Sequence, residues 1–205
     1  RDIKYSKTKS GFSVRGLYRE YKNLKIRLCG GHQLMNATLA LAVVESMRGY
    51  GFNLGVDSIR QGLYNTLWPG RCEVVAKNPA IILDGAQNAA SAGVLKKAIR
   101  ESFRYQRLIL ILGVSNDKDI KGIAGQLRHL AHTVILTRAN HPRAANPKGL
   151  KKYFLAKSGG GAYITNSVKE AKRLALSLAN KEDLILVTGS LFVVGEFKND
   201  KTRLN

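Results

Sequence analysis

Trp68-Pro69-Gly70-Arg71, followed by Ala80-Ile81-Ile82-Leu83 running straight into Asp84-Gly85-Ala86-Gln87-Asn88, is the stretch that decides the fold. Four apolar residues without polar alternation describe a strand buried on both faces, as in a parallel sheet covered by helices on each side. The proline biases Trp68 away from helix, and Pro-Gly punctuates the chain with a turn that fixes Arg71. Asp84 then stands at the carboxyl end of the strand, where open α/β sheets bind ligands. An arginine held by a turn and a carboxylate at a strand mouth suit a nucleotide gripped from one side. No G-x-x-x-x-G-K-[ST] loop accompanies them, and Gly-Lys never occurs in the chain.

Working downstream, Leu108-Leu112, Val134-Leu136 and Leu184-Val187 repeat the apolar-run pattern. Between them lie helical stripes: Val94, Leu95, Ala98 and Ile99; Ile120, Ile123, Ala124 and Leu127; Val168, Ala171, Ala175 and Leu178. Strands separated by helices predict an α/β domain with a doubly wound, mainly parallel sheet over residues 70–205. Its polar residues fall after the strands: Asp84, then Gly113 to Asp119, then Thr137 to Arg143, then Thr188-Gly189-Ser190. Four such turns at one sheet edge predict a functional crevice.

Upstream, residues 1–28 read as short, basic strands around turns at Ser10-Gly11 and Lys22-Asn23. Gln33 to Met47 is apolar enough to predict a largely buried helix. Val56, Ile59, Leu63 and Leu67 predict a second, amphipathic helix that ends at Trp68-Pro69-Gly70. The domain boundary is expected there, with residues 1–69 as a separate unit.

Composition bounds these readings. The 205 residues are 44% hydrophobic and carry a net charge of +20, from 34 Lys and Arg against 14 Asp and Glu. Such a balance attracts polyanions, although the positive residues are dispersed as expected of solvated faces. No run approaches the roughly 20 apolar residues that span a bilayer. Cys29 and Cys72 have neither metal-like spacing nor the number of a disulfide framework, and read as reduced thiols. The start, Arg-Asp-Ile-Lys-Tyr, has no initiator Met or signal-like stretch, and reads as the interior of a longer chain or an incomplete reading frame.

Individual motifs leave alternatives open. In Gly30-Gly31-His32-Gln33-x-x-Asn36-Ala37, the Asn36 carboxamide matches an adenine edge or crosslinks two helices. Arg71 suits a phosphate or an interdomain salt bridge. Asp84 suits ribose hydroxyls or the cap of the next helix. In Asp117-Lys118-Asp119, Asp119 reads as an N-cap, which leaves Lys118 to point into the crevice. Arg143 and Ser190 suit the carboxylates of an amino acid. His129 and His132 sit three apart without a third metal ligand, and read as surface residues. Ser158-Gly159-Gly160-Gly161 lacks the Lys-Ser or Lys-Thr of a phosphate loop and reads as a flexible connection.

Taken in order, Gly31-His32-Gln33-x-x-Asn36-Ala37, Trp68-Pro69-Gly70-Arg71, Asp84-Gly85-Ala86-x-Asn88, Asp117-Lys118-Asp119, Arg143-Ala144 and Thr188-Gly189-Ser190-Leu191 resemble the folylpolyglutamate synthase and dihydrofolate synthase family of the Mur ligase superfamily. The resemblance runs from about Asp2 to Phe197. It implies a Rossmann-like ligase domain at 70–205, preceded by the tail of a central ATPase domain at 1–69. It implies ATP-dependent ligation of L-glutamate to a dihydropteroate or tetrahydrofolate carboxylate through an acyl phosphate, in the cytoplasm and by a monomer, without membrane or specific nucleic-acid partners.

By position, the resemblance assigns Asn36 to adenine, Arg71 to the phosphates and Asp84 to the ribose side, with His32, Gln33 and Gln87 also on the nucleotide side. Arg71 and Lys118 would act in catalysis; Lys118, Arg143 and Ser190 would place glutamate. Gln87 replaces the family's usual histidine and cannot carry its proton or charge. The family's phosphate loop and its Mg2+ ligands lie in sequence upstream of Arg1, so the chain alone is expected to be inactive, completed by an N-terminal segment. A peptidoglycan-type Mur ligase and a basic nucleic-acid-binding module are the competing readings. The latter needs clustered arginines interleaved with exposed aromatics.

Overall fold

A computed structural model describes residues 4–5, 10–154 and 161–200. They group into two units, one reaching Trp68 and including Ala98–Phe103, the other formed by Pro69–Lys97 and the chain from Arg104 onward. Among the described residues no helix is long and apolar enough to cross a membrane. Ser158-Gly159-Gly160 lie outside the described residues.

The first unit has a three-stranded antiparallel sheet in the order β1-β2-β3, from Lys4–Tyr5, Ser10–Arg15 and Glu20–Ile26. The strands place Gly11 and Lys22-Asn23 inside β2 and β3 rather than at turns. The turn is Gly16 to Arg19, closed by the Gly16 N–H on the Arg19 carbonyl. Asn23 takes a left-handed φ of 55° where the register shifts between Phe12 and Val14. Asparagine tolerates that conformation, so the turn-like dipeptide marks an irregularity within a strand.

Helices α1 (Gly31–Ser46) and α2 (Val56–Asn65) follow, and Leu34, Ala37, Leu41 and Ile59 join Phe12, Tyr21, Leu24 and Ile26 in one core. Helix α1 is not largely buried: Met35, Leu39 and Val43 are exposed. Its apolar residues run all round the axis, but within this unit only one stripe packs inward. Glu45 lies buried on that stripe, accepting hydrogen bonds from the Leu17 N–H and the Tyr21 hydroxyl. Burial, reinforced by Glu45, pushes the Tyr21 phenol above its ordinary range. Helix α2 stops at Asn65, so Leu67 lies beyond it and is exposed.

The second unit is built on a six-stranded sheet in the order β4-β5-β9-β6-β7-β8. Strands β5 (Ala80–Leu83), β9 (Leu184–Thr188), β6 (Leu108–Leu112), β7 (Thr133–Leu136) and β8 (Ala162–Ile164) are parallel. Only β4 (Glu73–Lys77) is antiparallel, paired with β5 at one edge. Every residue of β6 and β9 is buried, as an unalternating apolar run requires. The expected strands are present; β4 and β8 are additional, being edge strands with only three apolar residues in a row and partly exposed side chains.

Helices α3 (Ala89–Ser102), α4 (Ile120–Leu127), α5 (Pro147–Leu150), α6 (Val168–Leu178) and α7 (Leu191–Asn199) complete the fold. The path β5 to β6 to β7 to β8 advances in one direction, and β9 returns to lie between β5 and β6. Right-handed crossovers then place α6 on the opposite face from α3 and α4. Accordingly Val168, Ala171 and Ala175 of α6 share a core with Ile81, Ile109, Ile111, Ile185 and Val187, and α7 adds Val193, Val194 and Phe197 to it. The β9 turn therefore leaves toward one face while both neighbours leave toward the other. At such a divergence, outside the carboxyl ends of the strands, open α/β sheets bind their ligands.

Candidate functional site

The sheet order sets four turns side by side at that edge: 84–88 after β5, 188–190 after β9, 113–119 after β6 and 137–143 after β7. They approach closely because two glycines permit it. A Cβ on Gly189, whose φ is +101°, would meet the Gly113 carbonyl oxygen at 2.5 Å. A Cβ on Gly113 would meet the Thr137 carbonyl oxygen at 2.8 Å. Neither glycine can carry a side chain without moving backbone.

Arg71 is fixed by its neighbours' backbone. Gly70 donates its N–H to Glu73 Oε2 at 2.9 Å and accepts the Gly85 N–H at 2.8 Å. Cys72, in a left-handed conformation of φ 46°, donates its N–H to Asp84 Oδ2 at 2.8 Å. Glu73 is in turn anchored by Lys198 at 2.6 Å. The Arg71 side chain passes over Gly85, where a Cβ would sit 3.1 Å from Nη1. Among the described residues its guanidinium has no hydrogen-bond partner and feels the Asp84 charge.

Asp84 is not the cap of α3. Its Oδ1 accepts the Ala86 N–H at 2.9 Å and its Oδ2 the Cys72 N–H, so it ties the Arg71 turn to the mouth of β5. Asn88 does the capping, accepting the Ser91 N–H at 2.8 Å. Burial pushes the Asp84 carboxyl above its ordinary value, against the two N–H donors and Arg71, which pull it down. Each oxygen keeps lone-pair capacity for a further donor. Gln87 is exposed, its N–H on the Ser91 hydroxyl.

In the turn after β6, Asp119 caps α4 by accepting the Gly122 N–H at 2.8 Å. Lys118 is not left to point freely: its ammonium pairs with Asp117 at 3.0 Å. A lysine next to an exposed carboxylate finds that local partner before any distant one. The hydrogen bond from Lys118 holds the Asp117 carboxyl below its ordinary value, with Arg143 adding to the effect. Ser190 is buried and caps α7 through the Phe192 N–H at 3.2 Å. Phe192 stacks on His141 with ring centroids 3.9 Å apart, and the Arg143 guanidinium lies 6.0 Å from the same ring. Phe192 thus joins the 137–143 turn to the 188–190 turn, and nothing in its sequence context announces that. The roles of Glu73 and Phe192, and of Asn88 within its motif, are not legible in the sequence, because they depend on partners distant in sequence or on turn geometry.

The residues fall into two groups. Arg71, Asp84, Gln87, Lys118, Arg143 and Ser190 all belong to the second unit and border its sheet edge, Arg71 with Asp84 and Lys118 with Asp117 and Arg143. His32, Gln33 and Asn36 belong to the first unit, on the first turns of α1. There the Asn36 amide donates to Gln33 Oε1 at 3.0 Å, Asn36 being exposed and Gln33 buried. His129 and His132 engage local partners, Arg128 and Thr133. Cys29 and Cys72 are buried and form no disulfide. Among the described residues no three His, Cys, Asp or Glu side chains gather as a metal site.

Comparison with known proteins places this edge in a family. Residues 70–191 match the Mur ligase, glutamate ligase domain. A probable bifunctional folylpolyglutamate synthase/dihydropteroate synthase of Halobacterium salinarum is 35% identical over 87% of the chain, a match that spans 21% of that protein. The structure of Mycobacterium tuberculosis folylpolyglutamate synthase complexed with ADP superposes with a TM-score of 0.89 at 27% identity, over 98% of this chain and 47% of that one. A bifunctional folylpolyglutamate synthase/dihydrofolate synthase with Mn, AMPPNP and L-glutamate bound gives a TM-score of 0.78 at 27% identity, over 91% and 43%. The chain thus spans from about a fifth to under half of these relatives. With its glutamate ligase domain at the carboxyl side and its relatives among folylpolyglutamate and dihydrofolate synthases, the chain belongs to the Mur ligase family.

Proposed function

We propose that this chain supplies the glutamate-joining half of an ATP-dependent ligase acting on a dihydropteroate or tetrahydrofolate carboxylate. The observation that carries the reading is the Arg71 guanidinium, unpartnered among the described residues yet fixed by its backbone at the mouth of a parallel strand. Relatives described with ADP and with AMPPNP and L-glutamate support it. In this reading the terminal phosphoryl group passes from ATP to the carboxylate oxygen, leaving ADP. The glutamate amine then attacks the acyl carbon, phosphate departs, and the amine loses its proton.

Each residue has a physical task in that sequence. Arg71 offers two parallel N–H donors to phosphoryl oxygens whose negative charge shifts during transfer, which a guanidinium matches in geometry and charge. Asp84 keeps Arg71 in place and has acceptor capacity left for ribose hydroxyls. Lys118 and Arg143 supply positive charge for the glutamate carboxylates, with Asp117 holding Lys118 ready. The Ser190 hydroxyl is committed as a cap, so its part is to shape the β9 turn and leave its donor proton for the ligand. Asn36, with His32 and Gln33, would serve the adenine side, and Gln87 would donate or accept a hydrogen bond where a histidine could shuttle a proton. An acyl phosphate hydrolyses readily, so the reaction requires water to be excluded.

Among the described residues no metal cluster assembles; residues in the portion of the relatives that this chain does not span would hold the Mg2+, which would offset phosphate charge. The same portion would carry the phosphate loop. We read the protein as a cytoplasmic monomer that recognises neither nucleic acid nor membrane, and as inactive when residues 1–205 stand alone.

The decisive experiment is a chimera in which residues 70–205 replace the corresponding domain of the Mycobacterium tuberculosis enzyme. Incorporation of labelled L-glutamate into folate should persist, and Arg71→Ala should reduce it at least a hundredfold. A chimera that folds and binds ADP but incorporates no glutamate contradicts the reading.

A further inference from the structure

The first unit has a hollow of about 700 Å³ between strand β3 and helix α2, lined by Asn23, Lys25, Arg60, Gln61, Tyr64 and Asn65. It combines two cations, three carboxamides and a phenol, and no carboxylate lines it. The Lys25 side chain makes no ion pair or hydrogen bond among the described residues. Arg60 donates one N–H to the Lys22 carbonyl at 3.2 Å, which aims its guanidinium, and has only a loose, exposed partner in Asp57 at 3.7 Å. The left-handed Asn23 sets its carboxamide at the irregularity of β3. Positive charge in the hollow is therefore largely uncompensated.

We propose that this hollow binds the oligo-γ-glutamyl chain of a folate substrate or product, an inference that rests on the ligase reading above. Such a chain alternates one carboxylate with one amide per residue. Lys25 and Arg60 match the carboxylates, while Asn23, Gln61 and Asn65 offer paired donors and acceptors to the amides. A nucleic acid fits less well. Single-strand binding needs a free aromatic face for base stacking, and the Tyr64 ring already has the Arg27 guanidinium over it, 6.0 Å from its centroid.

The test is an amide NMR titration of the 205-residue chain with penta-γ-glutamate free of any pterin. Shifts are expected at Lys22 to Ile26 and Asp57 to Asn65. Lys25→Ala with Arg60→Ala should weaken binding at least tenfold, and Lys25→Glu alone, which removes no side-chain hydrogen bond or ion pair among the described residues, should do the same. Replacing the exposed Lys151 and Lys152 by alanine should change it less than twofold. The proposal is overturned by an absence of shifts in those segments, by an equal loss in the Lys151/Lys152 variant, or by a single-stranded oligonucleotide of equal charge binding the same residues as tightly. Monomeric L-glutamate, followed at residues 113–119 in the same spectra, separates the two readings. Loss of its shifts alone counts against the ligase reading and leaves the hollow intact; loss of the penta-glutamate shifts alone overturns the hollow.

Discussion

The Asp84 carboxylate accepts the Cys72 backbone N–H at 2.8 Å, and through that bond the end of β5 holds the Arg71 turn. Its other oxygen holds the Ala86 N–H. Asp84→Ala removes both acceptors and is expected to cost about 2–4 kcal/mol, since partly buried donors are left unpaired. Chemical denaturation with urea measures it; a change below about 0.5 kcal/mol would leave the turn without this anchor.

Acid titration gives Asp84 a recognisable sign. Its folded carboxyl titrates above the ordinary 3.8, chiefly because of burial. Protonation therefore favours the fold: the contribution is complete below the unfolded value and is lost as pH rises through the folded one. The stability of the wild type relative to Asp84→Asn should increase as pH is lowered across that window. Urea midpoints at a series of acidic pH values would show it, and the opposite slope would refute the burial argument.

Asp183 should behave in the opposite way. Its side chain is buried and takes the Arg107 guanidinium at 2.6 Å, joining the starts of β6 and β9. Burial would push its carboxyl up, but Arg107 and the Asn180 and Arg107 backbone N–H groups together hold it below the ordinary value. This contribution is present above the unfolded value and lost as pH falls through the depressed folded one. Asp183→Asn should cost about 2–3 kcal/mol at neutral pH, less than a fully buried pair because Arg107 is partly exposed. The deficit should shrink in acid, as followed by thermal melts.

The crowding of the turns makes glycine obligatory at 189. Gly189→Ala combines a φ of +101° with a Cβ that meets the Gly113 carbonyl oxygen. A loss of about 2 kcal/mol or more is expected, with amide shifts at the 113 and 188 turns. An alanine variant as stable as the parent would contradict the close approach.

The parallel sheet was legible because burial on both faces writes itself into sequence as unbroken apolar runs, from Ile81 to Val187. The position of Asp84, Lys118, Arg143 and Ser190 followed from the strands they terminate. What they touch did not follow. Lys118 finds Asp117 next door, and Asp84 reaches back to Cys72, because hydrogen bonds are settled by local backbone geometry that residue type leaves open. Strands β4 and β8 were hidden because edge strands need no apolar run. Helix α1 misled for a related reason: Met35, Leu39 and Val43 are apolar, but only one stripe of the helix packs within its own unit.

Arg71 should separate stability from function. Its guanidinium has no hydrogen-bond partner among the described residues, so Arg71→Ala should shift the melting free energy by less than about 0.5 kcal/mol. A lysine there would keep charge but lose the paired donors, and should recover only part of the activity of the glutamate-incorporating chimera. Parallel melts and incorporation rates check the separation; equal losses in both would make Arg71 a structural residue.

The most direct measurement is an amide NMR titration of the second unit's sheet edge with L-glutamate, using the 205-residue chain. The account predicts saturable shifts at residues 113–119, 137–143 and 188–192, weakened at least tenfold by Arg143→Ala and left in place by Asn36→Ala. Shifts confined to other surfaces, or none at millimolar glutamate, would contradict the assignment of this edge to glutamate.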